Sequence, residues 1–125
     1  MDTPRGTIFS REDADKQFGL PLLSLEIKNE IIYDCLSKST GFVMFNIMDN
    51  AVCILDNKRN PLLPASKSVK PEVVFKTFDI EIVNKLITSG NQPVTFVESR
   101  ADNVISLTNG NSTLELGSPC PPWCG

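Results

Sequence analysis

The run Gly117-Ser118-Pro119-Cys120-Pro121-Pro122-Trp123-Cys124-Gly125 is the part of this chain whose residue types could do chemistry. Pro119, Pro121 and Pro122 hold the backbone extended or turned and remove amide donors, so the segment reads as an arm outside any helix or interior strand. Cys120 and Cys124 are close enough to form a disulfide or to share a soft metal. Trp123, between them, offers a large contact surface with one polar atom.

Four uses of the arm can be weighed. A thiol–disulfide enzyme places its cysteines two residues apart at a helix N-terminus, where the dipole lowers the thiol pKa. Here the spacing is wider and the prolines forbid that helix. A zinc site needs four ligands as a rule, and the chain has no His, so Cys35 and Cys53 or carboxylates would have to complete it. The third use is a terminal clip, with Trp123 and the prolines packed on a sheet. The fourth is a recognition tail in which Trp123, Pro121 and Pro122 dock into a partner.

Elsewhere the chemistry thins out. The absence of His removes Ser–His and Cys–His catalysis and the commonest metal ligand. The acids at Glu26 and Glu30, and at Asp79 and Glu81, stand near helix starts, where carboxylates complement the dipole. The glycines sit singly, so there is no phosphate-cradling loop. Ser37-Lys38-Ser39 and Ser66-Lys67-Ser68 are polar stretches, whereas Ser–Lys catalysis needs a buried Lys. Cys35 and Cys53 lie among Ile31, Ile32 and Leu36 and within Ala51 to Leu55, and read as small core hydrophobes. No catalytic residue, metal ligand or cofactor is therefore assigned.

A net charge of −3 disfavours phosphate binding, and the basic pairs Lys58 with Arg59 and Lys67 with Lys70 read as solvated loop charge. No nucleic-acid partner is expected. No apolar run reaches the ~20 residues of a membrane span, and MDTPRGTIF lacks the pattern of a secretory signal. The expectation is a cytoplasmic protein, and in the clip reading the tail cysteines are reduced, or linked in an oxidising compartment. Asn111-Ser112-Thr113 fits a glycosylation sequon and reads instead as a turn entering a strand.

The elements that must position the arm follow from periodicity. The chain has 125 residues, 41% of them hydrophobic and 22% charged, as a single globular domain would. We place that domain at 1–118 and the Cys/Pro/Trp tail at 119–125. Ser10 caps a short helix over 11–18, and Leu23, Leu25 and Ile27 alternate as a strand. Asn29 caps a second helix with Ile31, Ile32, Cys35 and Leu36 on one stripe, and Gly41 stops it. Phe42 to Met48 and Ala51 to Asp56 form a hairpin about Asp49-Asn50. Pro61, Pro64 and Pro71 mark an extended loop, and Val73 to Phe78 returns to strand. Asp79 caps a third helix, with Gly90 after it. Three short strands follow, at Val94 to Glu98, Val104 to Thr108 and Ser112 to Leu116.

Links this short impose antiparallel pairing. The fold class is α+β: one antiparallel sheet of about five to six strands, two packed helices and the short N-terminal helix. Phe45, Ile47, Val52, Ile54, Val74, Phe96, Ile105 and Leu107 are the expected core. The order helix, Gly, strand, turn, strand, Asn occurs twice, with Val52, Leu55 and Asn57 matching Val104, Leu107 and Asn109 at one offset, which suggests a duplicated helix-hairpin unit. This order of elements is similar to the profilin-like and roadblock-like arrangement of small cytoplasmic scaffold proteins. The expectation for function is a non-catalytic binding or regulatory module, homodimeric through a sheet edge or helix face, with an unidentified protein partner. The alternative is a thiol–disulfide oxidoreductase, with Cys120 as nucleophile and Cys124 as resolving thiol, or a Cys-based metal-binding protein.

Overall fold

A computed structural model describes residues 4–66 and 68–124, without the side chain of Asp102. Lys67, in one of the basic pairs and one Ser-Lys-Ser stretch, lies outside the described residues. The elements are β1 (Thr7–Ser10), α1 (Arg11–Phe18), β2 (Leu23–Lys28), α2 (Asn29–Ser37), β3 (Phe42–Met48), β4 (Ala51–Leu55), β5 (Pro61–Leu63) and β6 (Phe75–Asp79). They continue with α3 (Ile80–Gly90), β7 (Val94–Arg100), a 3-10 turn (Ala101–Asn103), β8 (Val104–Asn109), β9 (Ser112–Glu115) and β10 (Ser118–Cys120).

The strands form two antiparallel sheets of five, in the orders β1-β9-β8-β7-β2 and β10-β6-β3-β4-β5. The expected single sheet is thus corrected to two, within the expected α+β class. Each sheet takes a three-stranded meander from one half of the chain and two strands from the other half, β1 and β2 in the first sheet and β6 and β10 in the second. β2 leaves its own half to pair with β7, and β6 leaves its own half to pair with β3. These two exchanges produce the second sheet, and no local pattern announces them.

The duplicated order has a structural counterpart. β2-α2-β3-β4-β5 and β6-α3-β7-β8-β9 occupy matching places in the two strand orders, β9-β8-β7-β2 and β5-β4-β3-β6. Ile32, Cys35 and Leu36 of α2 take the buried positions that Val83, Leu86 and Ile87 take in α3. In the hairpins Ile47 pairs with Val52 as Ser99 pairs with Ile105, and Phe45 with Ile54 as Val97 with Leu107. Val52 therefore matches Ile105, one place on from the sequence match to Val104. The turn Asp49-Asn50 has two residues, whereas Ala101–Asn103 has three.

Local codes explain the rest. The Ser10 hydroxyl accepts from the Asp13 amide at 3.1 Å, starting α1. Asp49 and Asn50 both take positive φ, 53° and 60°, as a two-residue hairpin turn requires. Asn29 is the first residue of α2 instead of its cap, and its side chain reaches the other half, donating to the Gln92 carbonyl and accepting from the Thr95 hydroxyl. Gly90 ends α3, and Asn91 takes the left-handed cap. A Cβ on Gly90 would stand 2.1 Å from the Asn109 carbonyl oxygen, so the close approach demands glycine.

α2 and α3 join the inner faces of both sheets in one core that includes Phe45, Ile54, Phe78, Val97, Leu107 and Leu114. Each such side chain contributes on the order of 1.5–3 kcal/mol before entropy is subtracted. Two expected core residues lie elsewhere. Val74 precedes β6 and is 44% exposed, while Phe96 sits half-buried on the outer face of β7 because inward positions alternate through Thr95, Val97 and Ser99.

Candidate functional site

The C-terminal arm is built from its pairing upward. β10 adds to the edge of β6, with Ser118 opposite Thr77, Pro119 opposite Lys76 and Cys120 opposite Phe75. An edge strand tolerates Pro119 because that position needs no second ladder partner. The Thr77 hydroxyl donates to the Ser118 carbonyl at 3.0 Å. Beyond β10 the backbone turns through cis peptides at Cys120-Pro121 and Pro121-Pro122. The Trp123 amide donates to the Pro119 carbonyl at 2.8 Å, and a Cys120–Cys124 disulfide closes the loop.

The two sulfurs stand in different surroundings. Cys120 is fully buried and packs with Met44, Cys53, Leu55 and Phe75 on the outer face of the second sheet, while Cys124 is exposed. Trp123 is 66% exposed. The clip on the sheet is thus made by Pro119 and Cys120, and the ring of Trp123 faces solvent.

Sequence reading missed the residue that holds this arrangement. Arg59, grouped with Lys58 as loop charge, has a positive φ of 66° that turns its side chain back under the loop. Its Nη1 donates to the Cys120 carbonyl at 2.9 Å and lies 3.4 Å from the Cys120 sulfur. Its Nη2 donates to the carbonyls of Lys70 and Val73, at 3.2 and 2.9 Å. One guanidinium thus ties the long loop to the tail, the fork geometry for which Arg is suited. The left-handed φ of Arg59 is visible only in the structure, and a lone Arg in a polar turn gives no sign of it in sequence.

Cys35 and Cys53 do not join the pair. They are buried on α2 and β4, apart from the Cys120–Cys124 disulfide, and burial pushes the Cys35 thiol up, with Asp34 adding to the rise. Among the described residues no group of His, Cys, Asp and Glu has the arrangement of a metal site.

A second constellation lies on the outer face of the first sheet, roofed by α1. Arg100 and Glu115 are fully buried there, and Glu115 Oε2 stands 3.0 Å from Arg100 Nε. Arg100 Nη1 donates to Asp15 at 2.8 Å and also meets the Gly19 carbonyl. The Ser106 hydroxyl donates to Glu115 at 2.7 Å, and Thr108 donates to Glu98 at 2.6 Å. Desolvation raises the Glu115 pKa above its ordinary value, against the lowering effects of Ser106 and Arg100. Arg100 Nη2 and Glu115 Oε2 make no hydrogen bond. The carboxylates are spent on Arg100, Arg11 and hydroxyls beneath a helix, so the cluster ties α1 to the sheet and offers no open face to a substrate. Among the described residues no helix is long and apolar enough to cross a membrane. Compared with protein-family models, curated proteins and solved structures, the chain matches none.

Proposed function

We propose that the protein is a non-catalytic binding module that presents Trp123, with Pro121 and Pro122 beside it, to a protein partner. The observation that carries this reading is the contrast within one short loop. Its base is buried and pinned by the disulfide, by β10 and by Arg59, while its largest side chain stands in solvent. The backbone that carries this aromatic is ordered before binding, which lowers the cost of docking. Trp is also the residue type most enriched among binding hot spots. The test is quantitative affinity purification from source cells with the wild-type chain and Trp123→Ala, followed by binary titration of any purified candidate. The expected result is a direct complex weakened ~30-fold or more by Trp123→Ala, as loss of a ~2 kcal/mol anchor requires. A partner set unchanged by that substitution overturns the reading.

Self-association belongs to the same proposal. β2, at six residues, is the longest of the four edge strands and presents Glu26 and Lys28 on one face. Pairing β2 antiparallel with a second copy about Ile27 sets Glu26 opposite Lys28 twice. Sedimentation that gives a monomer at every concentration up to millimolar removes this part.

A thiol–disulfide exchange reading draws support from Arg59, whose cation beside the Cys120 sulfur would stabilise a thiolate there. An external thiolate attacks the exposed Cys124 sulfur, forms a mixed disulfide and releases Cys120 as thiolate, so Cys124 takes the nucleophile's role and Cys120 the resolving one, the reverse of the roles expected from sequence. A second external thiol then frees Cys124, leaving a dithiol and an external disulfide. Alkylation of reduced Cys120 at the rate of an unstructured thiol excludes it.

A further inference from the structure

The two halves of the molecule are alike enough that their departures from one another carry information. α2 and α3 follow the ends of β2 and β6, so the starts of those strands and the turns after β3 and β7 lie at the opposite end, between the sheets. A cleft of about 620 Å³ opens there, within the ~300–1,000 Å³ of small-molecule sites. Much of its wall is made in matched pairs. Leu23 of the first half answers to Val74 of the second, and Asn50 to Asn103, both in the left-handed conformation with φ of 60° and 61°.

Two matched positions break the pattern. Lys76 takes the place that Leu25 has in the other half, and Ser99 the place of Ile47. Register puts Lys76 on the face of β6 that carries Phe78, and Ser99 on the face of β7 that carries Val97. Both line the cleft. Lys76 is half-buried, and among the described residues it has no ion-pair partner. No carboxylate lines the cleft among the described residues. The cleft thus joins apolar wall at Leu23, Ile47 and Ile105 to a cation and to polar groups at Ser99, Asn50 and Asn103, and the cation has no carboxylate beside it there to compete with an anion from solution.

We propose that this cleft binds a small organic carboxylate, its charged end on the Lys76 ammonium and the Ser99 hydroxyl and its hydrocarbon body against Leu23, Ile47 and Ile105. One ammonium and one hydroxyl suit a single carboxylate, and a bare multivalent anion would leave the apolar wall unused. The site is separate from the Trp123 loop and stands or falls independently of it.

The test follows backbone amide NMR spectra of the full chain during titration with hexanoate, hexanol and inorganic phosphate. The expected result is saturable change with hexanoate at Ser99, Ile105 and Asn103 below ~10 mM, and at least ~10-fold weaker binding of hexanol and of phosphate. Lys76→Gln weakens hexanoate at least ~10-fold with spectral dispersion retained. Ser99→Ile restores the residue of the other half, fills the cleft and blocks hexanoate, which keeps the test decisive if Lys76→Gln does not fold. Trp123→Ala leaves hexanoate binding unchanged. Equal binding of hexanol, unaltered affinity in both cleft variants, or no saturable change at these amides overturns the proposal.

Discussion

The outer faces of the two sheets are built on matching backbones and hold together by opposite means. On the second sheet Met48, Cys53 and Leu55 occupy the positions that Arg100, Ser106 and Thr108 occupy on the first. One face is an apolar cluster covered by the long loop and closed by Cys120. The other is an ionic and hydroxyl cluster covered by α1. The backbone pairing therefore does not dictate the chemistry of the outer face. What covers each face does: a polar helix supplies Asp15 and Arg11, and an apolar loop supplies Val69 and Val73.

The two solutions should fail differently. Removing one member of a buried ion cluster strands the others, and among the described residues Arg100 is the member that faces Asp15 and Glu115 together. Arg100→Met is expected to cost about 3–5 kcal/mol, measured by urea denaturation. Combining it with Asp15→Asn and Glu115→Leu should restore most of that loss, because neither ion-pair partner of Arg100 then keeps its charge under α1, while Glu98 keeps Arg11. A loss below ~1 kcal/mol for Arg100→Met would erase the contrast between the faces.

On the apolar face the corresponding device is the disulfide. Its loop is short, and closing so few residues constrains the unfolded chain by about 2 kcal/mol. Cys124→Ala, which leaves buried Cys120 as a thiol, should therefore lower Tm by ~5–10 °C. The core between the sheets then carries folding on its own. A larger fall would mean that the second sheet depends on its closure as the first depends on Arg100.

The pH response sharpens the same contrast, since among the described residues only the first sheet buries a carboxyl whose pKa is displaced upward. A folded-state value above the unfolded one means the folded chain holds that proton more tightly. Glu115 therefore contributes fully at pH below its ordinary range, and the contribution is lost as pH rises through the raised value. Guanidinium midpoints should show wild-type stability falling relative to Glu115→Gln as pH rises from mildly acidic to neutral. The opposite slope would mean that Arg100 and Ser106 outweigh desolvation at this site.

These contrasts also show what a linear sequence could reveal. Ser10, Asp49-Asn50 and the stripe of α3 are local codes, and each element they mark stands where the periodicity places it. The repeated order of elements was equally visible, because helix, turn and strand recur in one direction along the chain. The second sheet was not, because β2 and β6 choose partners in the opposite half, and an alternating strand looks the same whichever meander it joins. The site suffered more. Glu98, Arg100 and Glu115 occupy alternate outward positions, which in an isolated strand means solvent, and only the placement of α1 makes them interior. Arg59 beside Lys58 likewise resembled loop charge until the tail came to rest on it. The cysteine pair was legible because proline and spacing act within a few residues.

The smallest effect separates contact from consequence within α1 itself. Glu12 and Asp15 both pair with a cation: Glu12 with Lys16 at 3.1 Å, where both side chains are more than two-thirds exposed, and Asp15 with the buried Arg100 at 2.8 Å. Water screens the first pair and holding two long side chains together costs entropy, so Glu12→Gln should change stability by no more than ~0.5 kcal/mol. Asp15→Asn keeps the shape but withdraws charge from a guanidinium that cannot return to water, and should cost several times more, read by the same urea titration. Salt provides the independent check, since raising ionic strength to ~1 M should remove the Glu12 effect and leave most of the Asp15 effect. Equal responses at the two positions would mean that α1 floats on its sheet, and the ionic face would then be no more specific a roof than the apolar one.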